Sequence, residues 1–291
     1  MICTDTSLAA GKNLYTGRKG ESEGWALRYS AVVLDLDGTL LNADKRVTDR
    51  NRHAVQQCYE KGIKIIYATA RPPRSVRQFL SEEMISTGTF VYYNGAQVVC
   101  NHTGTSFCES IPSDVSSSLI DYVRGHQPDL ELSIEVNDEW FSLRALDYTI
   151  AMNTASNPVV KSIDELKALH ATKILIASSS PIPMLLERFG QHVNIIVTDQ
   201  GRLIQIMPLQ ASKETAIRKL CEVYGIEMSD VVAFGDDYND LGLFGIAGYT
   251  VAMGNAVDAL KAAADETTET NDQDGVAIVL ERLFELERQR Q

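Results

Sequence analysis

The feature that most constrains this 291-residue chain is the apolar run Ala31-Val32-Val33-Leu34, followed at once by Asp35-Leu36-Asp37-Gly38-Thr39-Leu40-Leu41. A short apolar run of this kind predicts a buried strand over residues 31–36. Asp and Gly are depleted in strands, and an ionised carboxylate beside an apolar core needs a metal or a cationic partner. Two carboxylates and a glycine at the end of a strand therefore mark a place where something binds. A divalent cation with a phosphate is the simplest occupant.

The alternation begun there continues. Thr48 is placed to cap a helix running to about residue 61, with Ala54, Val55 and Cys58 on one face. Lys64–Ala68 (KIIYA) reads as a second buried strand, and Pro72 and Pro73 suit the first turn of a helix. Residues 90–93 form a third strand, closed by the turn signal Asn94-Gly95. Residues 98–100 and 107–111 read as a hairpin. Between 112 and 201 the rhythm changes. Residues 130–136 and 139–143 alternate, as in an antiparallel sheet with one wet face. Ser162-Ile163-Asp164-Glu165 is a capping box, followed by a strand at 173–177, a helix at 183–189 and a strand at 193–198. Strand–helix alternation then returns: a strand at 203–207, a helix capped by Ser212, a strand at 231–234 ending in Gly235-Asp236, a strand at 249–251, and helices at 257–264 and 275–287. No internal repeat interrupts this order. The pattern predicts an α/β fold, a doubly wound and mostly parallel sheet built from 30–111 and 202–291, with an α+β insertion at 112–201. Residues 1–29, with Gly11, Gly17, Gly20 and Gly24, read as a poorly ordered extension.

The net charge of −12 argues against a nucleic-acid partner, whose binding surface would be basic. No apolar run reaches the ~20 residues of a membrane helix, and the N-terminus lacks the pattern of a secretory signal. A cytoplasmic protein with no membrane partner is expected, as a monomer or homodimer. The five cysteines (Cys3, Cys58, Cys100, Cys108 and Cys221) show no zinc spacing. Cys100 and Cys108 flank the hairpin, and free thiols are the expectation for a reducing compartment.

In doubly wound sheets, ligands bind at the carboxyl ends of the strands. Three strands here end in Asp35/Asp37, Thr69 and Asp236. Phosphoryl transfer needs an aligned nucleophile, neutralisation of the phosphoryl oxygens and a proton for the leaving oxygen. One carboxylate can be the nucleophile, a second the acid and then the base, and carboxylate oxygens bind Mg2+. Asp35 and Asp37, two apart on a strand, point the same way, and Gly38 lets the chain turn and approach closely. Lys213 sits at a helix start, where cations are disfavoured, so it predicts an anion nearby. A strand-terminal Thr such as Thr69 also serves as an ordinary helix cap. Asp236, Asp237 and Asp240 crowd three acids into five positions, which repel unless a cation offsets them.

The segments DLDGTLL (35–41), ATAR (68–71), SKETA (212–216) and GDDYND (235–240), in this order, closely resemble the four motifs of the haloacid dehalogenase superfamily. The size and place of the insertion resemble the Cof-type branch with its C2-type cap. The resemblance implies a Mg2+-dependent phosphatase for phosphomonoesters of sugars and related small metabolites. It makes Asp35 the nucleophile and a metal ligand. Asp37 becomes the general acid/base, with its carbonyl on the metal, and Asp236 the remaining carboxylate ligand. Thr69 and Lys213 would hold the phosphoryl group, with backbone N–H groups of Leu36 and Ala70. Asn239 would contact phosphate or Lys213, and Asp240 would orient the metal shell. The chain departs from the pattern at Ala70, where glycine commonly follows the Thr, and at Gln210 and Glu214. These departures bear on substrate fit, since no chemical group is lost. A phosphomutase using the same intermediate is the alternative enzyme, and a phospho-acceptor signalling module the alternative outside enzymes. The latter orders its residues differently, with the acceptor Asp on a later strand. For specificity, polarity and position alone single out Arg71, Asn94, Glu135, Trp140 and Arg144, with structural or solvated roles the simpler reading.

Overall fold

The structure, a computed structural model, describes residues 28–101, 103–145, 156–177, 182–198 and 203–286. Most of the expected N-terminal extension, residues 1–27, lies outside the described residues, as do parts of the insertion and its return. Tyr29 belongs to the core: it is buried, with its ring 5.9 Å from that of Tyr249.

The chain first lays down β1 (Ala31–Leu34), β2 (Lys64–Ala68), β3 (Thr89–Tyr92), β4 (Gln97–Cys100) and β5 (Ser106–Cys108). It then forms β6 (Leu132–Val136), β7 (Glu139–Ser142), β8 (Val159–Val160), β9 (Lys173–Ile176), β10 (Val193–Thr198) and β11 (Leu203–Pro208), and returns to β12 (Val231–Gly235), β13 (Tyr249–Ala252) and β14 (Glu266–Thr267). Two sheets result. The first has the order β14-β13-β12-β1-β2-β3-β4-β5 and the second β10-β11-β9-β6-β7-β8. In the first, β14 through β3 run parallel, and β4 and β5 are antiparallel additions. From β1 to β3 this sheet grows one way, and from β12 to β14 the other. Growth in both directions from β1 and β12 is the order of a doubly wound sheet, and the final helix, Gly275–Leu283, closes back on the first, Asp49–Glu60, through Arg50–Glu281 and Asn51–Ala277. The sheet's switch point falls between β1 and β12, in register Leu34↔Phe234.

Each sheet carries its own hydrophobic cluster. The strands β1, β2 and β12 supply Ala31–Leu34, Ile65–Ala68 and Val231–Phe234 to the first, and Leu132, Ile134, Ile174, Ile176, Ile204 and Ile206 fill the second. The last two residues correct one expectation. The sequence pattern predicts that the strand near 203 restarts the parallel core, but β11 pairs antiparallel with β10 from Thr198↔Leu203 to Val193↔Pro208, and with β9 on its other side. Strands adjacent in sequence pair readily as hairpins, and apolarity alone does not say which sheet receives them. The first crossing is also earlier than the expected end of the core at 111: β5 stops at Cys108, and Ile111 packs in the second cluster. In the hairpin β4–β5, Cys108 lies opposite Gln97, not Cys100, and Cys58, Cys100 and Cys221 are free thiols. No helix among the described residues is long and apolar enough to cross a membrane.

Candidate active site

β1 ends at Leu34, two residues earlier than expected, so Asp35 and Asp37 do not share the facing of a strand. The chain turns instead: Leu40 N–H donates to the Asp35 carbonyl, and Thr39 and Leu41 N–H to that of Leu36. The two carboxylates diverge. Asp35 points inward and is 6% exposed. Its Oδ1 accepts from Lys213 Nζ at 2.5 Å. Asp37 is about a third exposed and accepts from Arg71 Nε, Arg71 Nη2 (2.8 Å) and Lys45 Nζ (2.7 Å).

Lys213 opens the helix Lys213–Tyr224, whose N-cap Ser212 accepts from Thr215 N–H. Its ammonium is fully buried between Asp35 and Asp240, the latter at 2.7 Å. The anion expected near this helix start is thus a pair of carboxylates. Burial works against the charged lysine, but Asp240 and Asp35 outweigh it and hold it charged, above the usual lysine range. β12 delivers Asp236, whose Oδ1 accepts from Thr39 Oγ1 at 3.0 Å. Asp240 turns back on the same loop, with its Oδ2 taking the amides of Asp236 and Asp237. Asp35, Asp236 and Asp240 offer carboxylate oxygens within 4.8 Å of one another. Burial pushes Asp35 well above the usual carboxylate range against the pull of Lys213, with Asp240 and Asp236 adding to the rise. Burial and then Asp240 push Asp236 up to about 7. Asp37 goes the other way. Burial alone would raise it, but Arg71 and Lys45 together bring it below the usual range.

Thr69 ends β2 buried, and its Oγ1 accepts from Arg71 N–H at 3.1 Å. This ties the 69–71 turn to itself. Ala70 does not require glycine's freedom there, since it is absent from the residues with positive φ. Asn239 Nδ2 donates to Asn94 Oδ1 at 3.0 Å. Asn94 lies in a left-handed turn whose N–H donates to the Thr69 carbonyl. Of the residues singled out by polarity, Arg71 and Asn94 therefore stand at the site. Glu135 and Trp140 lie against Arg74, while Arg144 is half-exposed beside Asp129. Thr39 and Lys45 were not assigned roles from sequence. Lys45, whose own backbone is left-handed with φ 59°, reaches Asp37 from a turn that no periodicity announces.

This arrangement defines a class. The model of the haloacid dehalogenase-like hydrolases matches residues 32–280, and the chain belongs to that family, as a phosphatase. Among curated relatives it is 31% identical to the 5-amino-6-(5-phospho-D-ribitylamino)uracil phosphatase YitU of Bacillus subtilis, over 88% of this chain and 97% of that one. It is 27% identical to a second phosphatase of that name from the same organism, YwtE, over 87% and 97%. Among solved structures, a haloacid dehalogenase-like hydrolase from Bacteroides thetaiotaomicron is 30% identical with a TM-score of 0.77, covering 88% of this chain and all of that one.

Proposed function

We propose that the protein is a Mg2+-dependent phosphomonoesterase for small phosphorylated metabolites, working through an aspartyl-phosphate on Asp35. The observation that carries this reading is the buried lysine held between Asp35 and Asp240 beside a third carboxylate, Asp236. The donor set fits Mg2+, a hard cation that takes oxygen ligands. Both oxygens of Asp240 are taken by Lys213 and the loop amides, whereas Asp35 Oδ2 and Asp236 Oδ2 accept from no donor among the described residues. Asp35 and Asp236 would hold the ion, with the Asp37 carbonyl, and Asp240 would orient the loop. Once bound, Mg2+ supplies charge neutralisation at the phosphoryl oxygens.

The remaining steps belong to the chain. Asp35 attacks phosphorus while Lys213 and Thr69 hold the phosphoryl oxygens. The ester oxygen leaves with a proton from Asp37. Water then attacks the aspartyl-phosphate, gives its proton to Asp37, and releases phosphate. Arg71 and Lys45 keep Asp37 ionised, which suits the second step. To serve the first, it takes up a proton as substrate charge arrives beside those cations. The second sheet and its helices would act as the cap that excludes water and selects the leaving group.

The test is phosphate release from p-nitrophenyl phosphate and a panel of phosphomonoesters, with Mg2+ and with EDTA. The compound named for the two Bacillus relatives heads the panel. Mg2+-dependent release is expected. An isomeric sugar phosphate in place of free phosphate would move the reading to a mutase, and turnover undiminished by EDTA would overturn the metal assignment.

A further inference from the structure

The second sheet sends charged side chains into the first, directly behind the 69–71 turn. Glu135, near the end of β6, is 1% exposed. Its Oε2 accepts from Arg74 at 2.6 Å and from Tyr93 Oη at 3.1 Å, and its Oε1 lies 3.2 Å from Lys173 Nζ. Arg74 and Tyr93 come from the first sheet's connections, whereas Lys173 opens β9 of the second. Lys173 is also buried. Its Nζ donates to the carbonyl of Ala70 at 3.3 Å and sits 5.1 Å from the centre of the Tyr93 ring. Beside this cluster, Asp138 accepts from Arg74 N–H at 2.7 Å and from Arg77 Nη1 at 3.0 Å, and Arg74 stacks over Trp140.

A carboxylate buried this deeply costs several kcal/mol to desolvate, and such pairs often contribute little net stability. Glu135 nevertheless stays ionised. Burial would raise its pKa, but Lys173 and Arg74 reverse the shift and bring it below the usual range. In some proteins such groups are retained because they specify one arrangement. Here the arrangement specified is contact between the sheets. Arg74 and Tyr93 grip Glu135 from one side, and Lys173 passes that grip to the Ala70 carbonyl. The peptide it touches lies between Thr69 and Arg71, and Arg71 in turn holds Asp37.

We infer that Glu135 and Lys173 are positioning residues, which couple the seating of the second sheet to the geometry of the Thr69–Ala70–Arg71 turn. The inference rests on the reading of that turn as the phosphoryl-binding one. Neither side chain touches the leaving group; both act through the Ala70 carbonyl. Their effect therefore falls on what all substrates share, the phosphoryl group, and not on what distinguishes them.

The experiment compares Lys173→Met, Glu135→Gln, the double variant and Lys173→Arg with the wild-type chain. Turnover is measured with Mg2+ on p-nitrophenyl phosphate and on two phosphomonoesters with unrelated leaving groups, alongside competitive inhibition by inorganic phosphate. Each single variant is expected to lose about tenfold in kcat/KM, the same factor on all three substrates, and to weaken phosphate inhibition. The double variant loses no more than the worse single, as coupled residues do, and Lys173→Arg, which keeps a donor, recovers part of the loss. Losses that differ between leaving groups would make these residues specificity contacts and overturn the inference. Unchanged kcat/KM in folded variants, with only a lower unfolding midpoint, would also overturn it. Should Glu135→Gln fail to fold, Lys173→Met carries the same comparison. Thr69→Val separates the two claims: if it leaves kcat/KM intact, the reading of the turn has failed and not the coupling.

Discussion

Gly38 shows how little room the site allows. Its φ is +78°, and a Cβ there would lie 2.2 Å from Asp236 Oδ2. That carboxylate is held by Thr39 and cannot retreat without breaking the hydrogen bond. Gly38→Ala is expected to keep the fold, lower stability by about 1 kcal/mol or more from its backbone conformation, and cut turnover at least ~100-fold by displacing Asp236. Phosphate release together with a denaturant midpoint reads both effects; full activity would mean that Asp236 does not hold the metal. Asp35→Asn removes the nucleophile and is expected to lower kcat by ~1,000-fold or more. Because burial already opposes the charge on Asp35, its metal-free unfolding midpoint should not fall. Near-wild-type turnover would remove Asp35 from the nucleophile's role. At this scale the sequence was legible in where the charged and polar residues sit: Asp35, Asp37, Thr69 and Asp236 follow strand ends, and Lys213 opens a helix. It was silent on Lys45 and Lys173, whose partners lie on other elements, and on the contact between Asn239 and Asn94.

Elements were most legible where their ends are fixed locally. Thr48 caps Asp49–Glu60, Ser162 closes its capping box, and Ser212 caps Lys213–Tyr224, all as the residues suggest. The helix Ser113–His126 has Pro112 at its N-cap, with no side-chain hydrogen bond, and its serine-rich start carries no signal of its own. β11 misled for the opposite reason: its local pattern was clear, but its sheet is decided by β10 and β9. The Ser212 cap matters beyond its helix because the next residue is the buried lysine. Ser212→Ala is expected to cost about 1 kcal/mol of stability. It should also reduce kcat, since a frayed first turn loosens Lys213 from Asp35 and Asp240. Urea unfolding and phosphate release on the same preparation test this; a stability loss without any loss of kcat would show that the two carboxylates alone position the lysine.

Across the whole molecule, the doubly wound sheet brings β1 and β12 side by side and so crowds Asp35, Asp236 and Asp240 at its switch point. This crowding has a thermodynamic consequence. Asp236 rises from 3.8 to about 7 on folding, and Asp35 rises also. Between those values the metal-free folded state binds more protons than the unfolded chain, so its stability falls as pH rises through that window. Asp37 and Glu135 have depressed values, and their contribution is lost only as pH falls through the usual carboxylate range. The metal-free protein should therefore unfold at a higher temperature at about pH 5.5 than at about pH 8. A cation taking the place of those protons reverses the trend, because metal and proton compete for the same oxygens. Mg2+ should add more to the unfolding midpoint at the higher pH, and Asp236→Asn should shrink both effects. Thermal scans with EDTA and with Mg2+ at the two pH values decide the matter. A metal-free midpoint that climbs with pH, or an equal increment from Mg2+ at both, would mean that Asp35 and Asp236 do not hold the metal.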